Sequence, residues 1–377
     1  MAGIYIHVPF CQKACNYCDF HFTTNHTLVQ QMVDAMVQEL YLQKEYFAKD
    51  QIIQTLYLGG GTPSLLSSDQ LEVLMQAVKA NFNLANEVEV TLEVNPDNVT
   101  NDNVDLWKFH GVNRISLGIQ TLNQDSLKWM NRSHTSDQAL KAIELLISSN
   151  QFNLSCDLIF ATPFTTLKNL EYDLTQVTKL GINHLSCYNL TVEPQTKLYK
   201  QVAKQPTLIT SDEEAIKQFE FIQQFTTSKG FEHYEISNYA LPNCYSKHNT
   251  AYWQSRPYLG IGPSAHSYID GVRSFNIKSN AAYIKAIKER TVPNIIEPLT
   301  LENKFNEYVL TRLRTKWGIN MEELRNIFGP QAEAHFHREL KKIFHHQWIH
   351  QVDQNFVLTK EGKCHADTAA AALFLEQ

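Results

Sequence analysis

HVPFCQKACNYCDF, from His7 to Phe20, puts Cys11, Cys15 and Cys18 into one short turn directly after the strand-like run GIYIHV. Three thiols so close together are one short of the four protein ligands that a structural zinc ion takes. No C-x-x-C or H-x-x-x-H partner elsewhere completes that set convincingly, although His7 or His21 lies near enough in sequence to serve. An iron–sulfur cube on three thiolates has a different need: one iron keeps an open position at which a substrate can be bound and polarised. The other four of the seven cysteines, Cys156, Cys187, Cys244 and Cys364, stand singly. That is no disulfide framework, and it suits a reducing compartment.

Outward from this turn, strand-like and helix-like runs alternate as far as about Leu190. Strands are expected at Ile4–Val8, Thr55–Leu58, Val88–Val94, Arg114–Ile119, Leu154–Phe160 and His184–Leu190, each short and rich in β-branched or aromatic residues. Between the first two, Leu28, Val29, Met32, Val33, Met36, Val37, Leu40 and Tyr41 recur as pairs four apart, the pattern of an amphipathic helix. SSDQLEVLMQAVKANF, SDQALKAIELLISS and LKNLEYDLTQVTKL are further helices, the first two opening on Ser/Asp caps. Repeated βα units imply a parallel sheet with helices outside it. Glycine-rich or polar punctuation follows almost every strand: the cysteine turn, GGGTP, NPD, Gln120 with TLNQD, and TVEP. Sites built from many strand ends belong to barrels, so the expected core is an α/β partial (β/α)6 barrel over residues 1–210.

Residues 211–298 read as a linking region, with a helix at Ser211–Lys229 and a loop-rich, aromatic stretch from Phe231 to about Ser274. Helices resume from about Leu299 and end in a hairpin around Asp353–Asn355, so residues 299–377 are expected to form an α+β, winged-helix-like module. Such modules often bind DNA, but this one carries ten Lys/Arg against ten Asp/Glu, and the whole chain of 377 residues has a formal charge of -6. A nucleic-acid reader needs a basic face, so the module is expected to be structural or a partner surface. No run approaches the ~18 apolar residues of a membrane-spanning helix, and no basic and apolar leader precedes the first strand.

The spacing C-x3-C-x2-C immediately after a first strand resembles the radical S-adenosylmethionine superfamily. There, the resemblance implies, the cofactor's amino and carboxylate groups chelate the open iron of a 4Fe-4S cluster, and an electron from the cluster releases a 5'-deoxyadenosyl radical. The likeness narrows through GIYIHVPFCQKACNYCDF, YLGGGTPSLL, EVNPD, RISLGIQT, DLIF, HLSCYNLTVEPQT, YEISNYA and HNTAYW…YLGIGPSAHSY, which together resemble the oxygen-independent coproporphyrinogen oxidase family. Carried over residue by residue, it implies Cys11, Cys15 and Cys18 as cluster ligands. Tyr5, Tyr17, Gly60, Gly61, Thr62, Glu93, Gln120, Arg132 and Asp157 are implied as S-adenosylmethionine contacts, with another at Asn189 or Leu190.

Two departures from the oxidase matter. Its further cysteine, two residues after the third, is Phe20 here, and the chain starts four residues before Tyr5 rather than after a long extension. Both, with HNTAYW (His248–Trp253), resemble the HemW-type heme chaperones. That implies heme as a ligand, His248 as its candidate axial ligand, and Tyr252 and Trp253 as walls for an apolar macrocycle. His266 is a weaker second candidate, and His335, His337, His345, His346 and His350 are expected on exposed helix faces. Acceptor hemoproteins, respiratory and membrane-associated ones among them, are the expected partners, with no nucleic acid. The expected place is the cytoplasm, peripheral to the membrane where an acceptor sits. Two alternatives stand beside the chaperone: a decarboxylase of coproporphyrinogen III, whose activity Phe20 argues against, and a radical enzyme acting on nucleic acid. Ala161, where the family commonly has glycine, is a smaller departure.

Overall fold

The structure, a computed structural model, describes residues 2–375. Six strands, β1 (Ala2–Val8), β2 (Ile52–Gly60), β3 (Asn83–Val94), β4 (Arg114–Gln120), β5 (Asn153–Phe160) and β6 (His184–Asn189), pair in parallel and in chain order. The first five contain the runs expected of them, extended by up to five residues at the start and two at the end, and β6 stops one residue short of the expected Leu190. The strands are not uniformly apolar. Ile4, Ile6, Leu56, Leu58, Val90, Leu92, Ile115, Leu117, Leu154, Leu158 and Leu185 are all buried, and alternate with Thr55, Tyr57, Thr91, Glu93, Arg114, Ser116, Ser155, Asp157, His184 and Ser186. Because side chains alternate across a strand, one face is apolar under the helices and the other lines a polar interior. A barrel filled by branched side chains has no room for a ligand. This one, lined by hydroxyls and charges, holds a cavity.

The helices lie where periodicity put them: Val29–Leu42, Ser68–Asn81, Ser136–Ser149 and Leu167–Lys179. Ser67 and Gln70 form a capping box at the second. The third is capped by Thr135 with Gln138, one residue before the Ser136 that the sequence suggested.

The structure departs most from expectation between Phe231 and Ser274. This loop-rich reading gives way to β7 (Glu232–Glu235), β8 (Asn238–Ala240), β9 (Tyr258–Ile261), β10 (His266–Ile269) and β11 (Val272–Asn276), followed by β12 (Asn294–Pro298). These strands extend the barrel sheet at both edges, in the order β12-β11-β10-β9-β1-β2-β3-β4-β5-β6-β8-β7. β9 runs parallel to β1, with Gly3 opposite Tyr258, and β8 runs antiparallel to β6. Strands of three to five residues carry too few alternations to be read from sequence. The sheet's two ends, β12 and β7, are not paired to each other, so the barrel is partial.

One buried carboxylate ties the extension to the core. Glu39, fully buried on the first helix, accepts from Gly262 N (2.8 Å), from Asn276 Nδ2 (2.7 Å) and from the Tyr283 hydroxyl. Burial pushes its carboxyl up to about 7, and the three donors partly offset that.

Beyond β12 a second core forms around Phe305, Val309, Leu324, Phe336 and Phe356. It comprises helices Leu301–Leu313 and Met321–Ile343, the short helix Ala366–Ala371, and a small antiparallel sheet of β13 (Ile319–Asn320), β14 (Ile349–Val352) and β15 (Asn355–Leu358) in the order β13-β15-β14. The long helix breaks at Gly329, whose φ of 84° ends one segment while Pro330 opens the next. Among the described residues no helix is long and apolar enough to cross a membrane.

Candidate functional site

The turn after β1 and the loop after β2 are stapled together. Gly61 N donates to Val8 O (2.8 Å) and Thr62 N to Phe10 O (2.7 Å). Gly60 sits at φ 104°, where side-chain-bearing residues are strained, and a Cβ on Gly61 would lie 2.6 Å from Phe10 O and 2.7 Å from Val8 O. Glycine is therefore what lets GGGTP lie against the cysteine turn.

A cavity of about 1120 Å³ opens above these loops. Cys11, Cys15, Cys18, Tyr17, Gly60, Gly61, Thr62, Glu93, Gln120, Arg132 and Asp157 all line it, as do both Asn189 and Leu190. Two expected residues do not. Tyr5 lies behind Tyr57, with its hydroxyl 3.0 Å from His7 Nδ1. His248 faces Thr55, Nδ1 to Oγ1 at 2.9 Å, with its ring 5.0 Å from that of Tyr57. Its sequence neighbours Ser246 and Asn249 do line the cavity. Of its expected walls, Tyr252 is half exposed against Trp253 and Tyr258, and Arg314 lies over Trp253 at 5.3 Å. His266 lies on β10 beside Phe275, away from the cavity lining. Of the five histidines expected on exposed helix faces, His337, His345 and His346 are exposed, His350 is exposed but on β14, and His335 is half-buried and bonds Leu373 O and Phe374 O.

Glu93 accepts from the Tyr57 hydroxyl (2.9 Å) and from Gly60 N (3.0 Å). Burial pushes its carboxyl up to about 7; the Tyr57 bond opposes that and the Asp157 charge adds to it. Asp157 is raised for the same first reason, accepts from Ser116 Oγ (2.9 Å), and leaves Oδ1 buried without a partner. The Arg132 guanidinium donates to Asn95 Oδ1 (2.8 Å) and Gly118 O (2.9 Å) and reaches Cys15 Sγ at 3.4 Å, while its Nε is buried and unpartnered. Both atoms belong to residues that line the cavity, so a ligand bound there can satisfy them. Tyr57 and Asn95 were not singled out from sequence. The alternation in TLYLGGG, which puts Tyr57 on the same face as Gly59, was the available signal for Tyr57.

The chemistry of the thiols fits a cluster better than a single ion. Burial holds the Cys11 thiol up at about 11 and Cys18 at about 12, so without a bound cation both stay protonated. All three are free of disulfides. Among the described residues no three His, Cys, Asp or Glu side chains converge on one ion, as zinc would require. All three thiols line one cavity, and a cube offers a separate iron to each thiolate.

Ala161 explains its own oddity. Its φ is 59°, a left-handed conformation that glycine adopts freely and alanine at a cost of about 1 kcal/mol. Its N–H donates to Gln218 Oε1 (2.8 Å), which holds it there.

Two family models match the chain: the radical SAM superfamily over residues 5–176 and the HemN C-terminal domain over residues 299–364. Parallel β/α units with a three-cysteine turn after β1 thus define a radical SAM protein. The heme chaperone HemW of Lactococcus lactis is 31% identical over 95% of this chain and 93% of its own length. That of Bacillus subtilis is 31% identical over 96% of each, and that of Escherichia coli 35% identical over 71% of this chain and 70% of its own. The chain belongs to the HemW heme chaperone family. Among solved structures, coproporphyrinogen III oxidase (HemN) from Escherichia coli superposes with a TM-score of 0.84 at 21% identity, covering 99% of this chain and 90% of the other, a likeness of fold.

Proposed function

We propose that this chain binds heme as cargo and hands it to acceptor hemoproteins, with a 4Fe-4S cluster and S-adenosylmethionine as resident cofactors. One observation carries the reading: the cavity exceeds the roughly 300–1,000 Å³ of a pocket for one drug-sized ligand, and its two halves differ. The half beside β1–β4 holds the cysteines, Glu93 and Arg132; the other sets the apolar Ile159, Phe160, Phe219 and Ile236 among polar residues such as His184, Ser186 and Ser237. A nucleoside cofactor needs the first half only. A macrocycle with an apolar face and a polar edge suits the second. Relatives named as heme chaperones supply the identity of the cargo.

When bound, the cluster with its cofactor supplies one-electron chemistry. The chain's own parts are assigned as follows. Cys11, Cys15 and Cys18 hold the cluster, and the Arg132 cation beside Cys15 offsets its negative charge. Gly60, Gly61 and Thr62 admit the methionine end of the cofactor; Glu93, Gln120 and Asp157 take its hydrogen-bonding groups, with Tyr17 as a wall. Tyr5 supports the site from behind Tyr57. Glu93→Ala and Asp157→Ala should each weaken S-adenosylmethionine binding about tenfold, the loss of a bond worth roughly 1–2 kcal/mol, and leave the iron content unchanged. Equilibrium dialysis of the reconstituted variants checks this, and wild-type affinity in both would remove the assignment.

His248 is assigned as the iron ligand. Burial holds its imidazole down at about 4, so it is neutral at physiological pH, the form that binds iron. The Thr55 bond keeps the ring turned from the cavity, so ligation requires the first turn of Lys247–Trp253 to shift. Titration of the anaerobic protein with heme should saturate near one per chain, and His248→Ala should weaken binding and change the Soret spectrum. An unchanged spectrum in that variant rules out His248 as the ligand; no saturable binding by the wild type rules out the cargo.

A further inference from the structure

The cavity's far wall comes from the C-terminal module. Arg314, Lys363, His365 and Ala366 line it across from the cysteine turn. Five cations line the cavity altogether, and four have other engagements. Arg132 is bonded to Asn95, Gly118 and Cys15. Lys13 sits on the cluster side and donates to Arg132 O. Arg114 is only 2% exposed at the barrel floor and reaches Cys244 O. Arg314 is paired with Asp367 at 2.7 Å and Glu235 at 3.4 Å.

Lys13 and Arg114 share the lack of an ion pair, but of the two cations on the C-terminal wall Arg314 is paired and Lys363 is not. Among the described residues no carboxylate lies within ion-pairing distance of it, and its ammonium makes one long contact, 3.5 Å to His233 O. A largely enclosed ammonium with no counter-charge is costly, and an anion that enters beside it relieves that cost. Burial already pulls its pKa down to about 8, the response of a cation without a partner. The same cavity is lined by the apolar Phe219, Ile236 and Ala366, together with the polar Asp212, Ser237, His365 and Asp367. An anion suited to this mixed wall is a carboxylate on the edge of a molecule whose body is apolar.

We propose that Lys363 receives a carboxylate of the cargo, so that the C-terminal module reads the acidic edge of the macrocycle while the apolar wall takes its face. The proposal rests on the heme reading above and adds a specificity residue to it. Heme carries two carboxylates on one edge, and its dimethyl ester keeps the macrocycle and iron but offers no anion. The module is then part of the cargo site, and cargo in the cavity bridges it to the barrel.

The test is a titration of the full, cluster-reconstituted chain with heme and with heme dimethyl ester in the same detergent, for wild type, Lys363→Met and Lys363→Arg. The wild type should prefer heme over the ester by about tenfold or more, a charge-assisted bond's contribution. Lys363→Met should bring heme affinity down to the ester's level and leave the ester unchanged, and Lys363→Arg should keep most of the preference. Two results would overturn the proposal: Lys363→Met binding heme as the wild type does, or losing heme and ester equally, which is the mark of a structural role. A wild type that binds neither ligand would instead sink the heme reading itself. Iron content and the thermal transition, read on the same samples, confirm that each variant is folded and loaded.

Discussion

Serine in place of Cys11, Cys15 or Cys18 should abolish a stable cluster outright. Each thiol occupies a separate place on the wall of the cavity, and the loop holds no spare. The remaining cysteines cannot substitute. Cys156 and Cys187 are buried in the middle of β5 and β6, Cys244 precedes the helix Lys247–Trp253, and Cys364 belongs to the C-terminal module; Cys187 and Cys364 line the cavity, but on elements other than the turn after β1. A serine hydroxyl ionises far less readily than a thiol and is a poor ligand for iron. Iron and sulfide analysis with EPR after anaerobic reconstitution should find little cluster in all three variants. A full complement in Cys15→Ser would mean that another group ligates the cluster.

The second large effect is an absence of turnover. The true oxidase, by resemblance, carries a cysteine where this chain has Phe20. The phenyl ring stands 72% exposed at the rim of the cavity, two residues from Cys18. An aromatic ring cannot donate a hydrogen atom or ligate iron as a thiol does, but it can lie against a macrocycle face. Coproporphyrinogen III supplied with reductant and S-adenosylmethionine should therefore remain unconverted, against many turnovers for an oxidase. Decarboxylation by the wild type would contradict this.

Much of the fold was legible because its signals are local. The βα alternation from Ile4 to Leu190 repeats one supersecondary unit, and the cysteine turn and GGGTP mark strand ends by composition. Other features depend on tertiary packing and leave no local trace. β9 joins β1 across more than two hundred residues, and β9 and the strands beyond it are too short for a period to emerge. Where HNTAYW would point was equally hidden: the motif names His248, but only packing turns it toward Thr55 rather than into the cavity. Lys363 sits in a stretch, EGKCHAD, with nothing to mark it. Its significance comes from the C-terminal module lying against the barrel, where it meets a cavity whose opposite wall is some three hundred and fifty residues away in sequence.

The central claim is that the cavity carries heme as cargo and does not process a porphyrinogen. Its most direct test puts heme and coproporphyrinogen III, with reductant and S-adenosylmethionine, before one anaerobically reconstituted sample. Saturation near one heme per chain with no loss of coproporphyrinogen is the predicted result. Protoporphyrinogen formed at many equivalents per chain would contradict it, whatever heme also bound, since apolar porphyrins adhere to many protein surfaces.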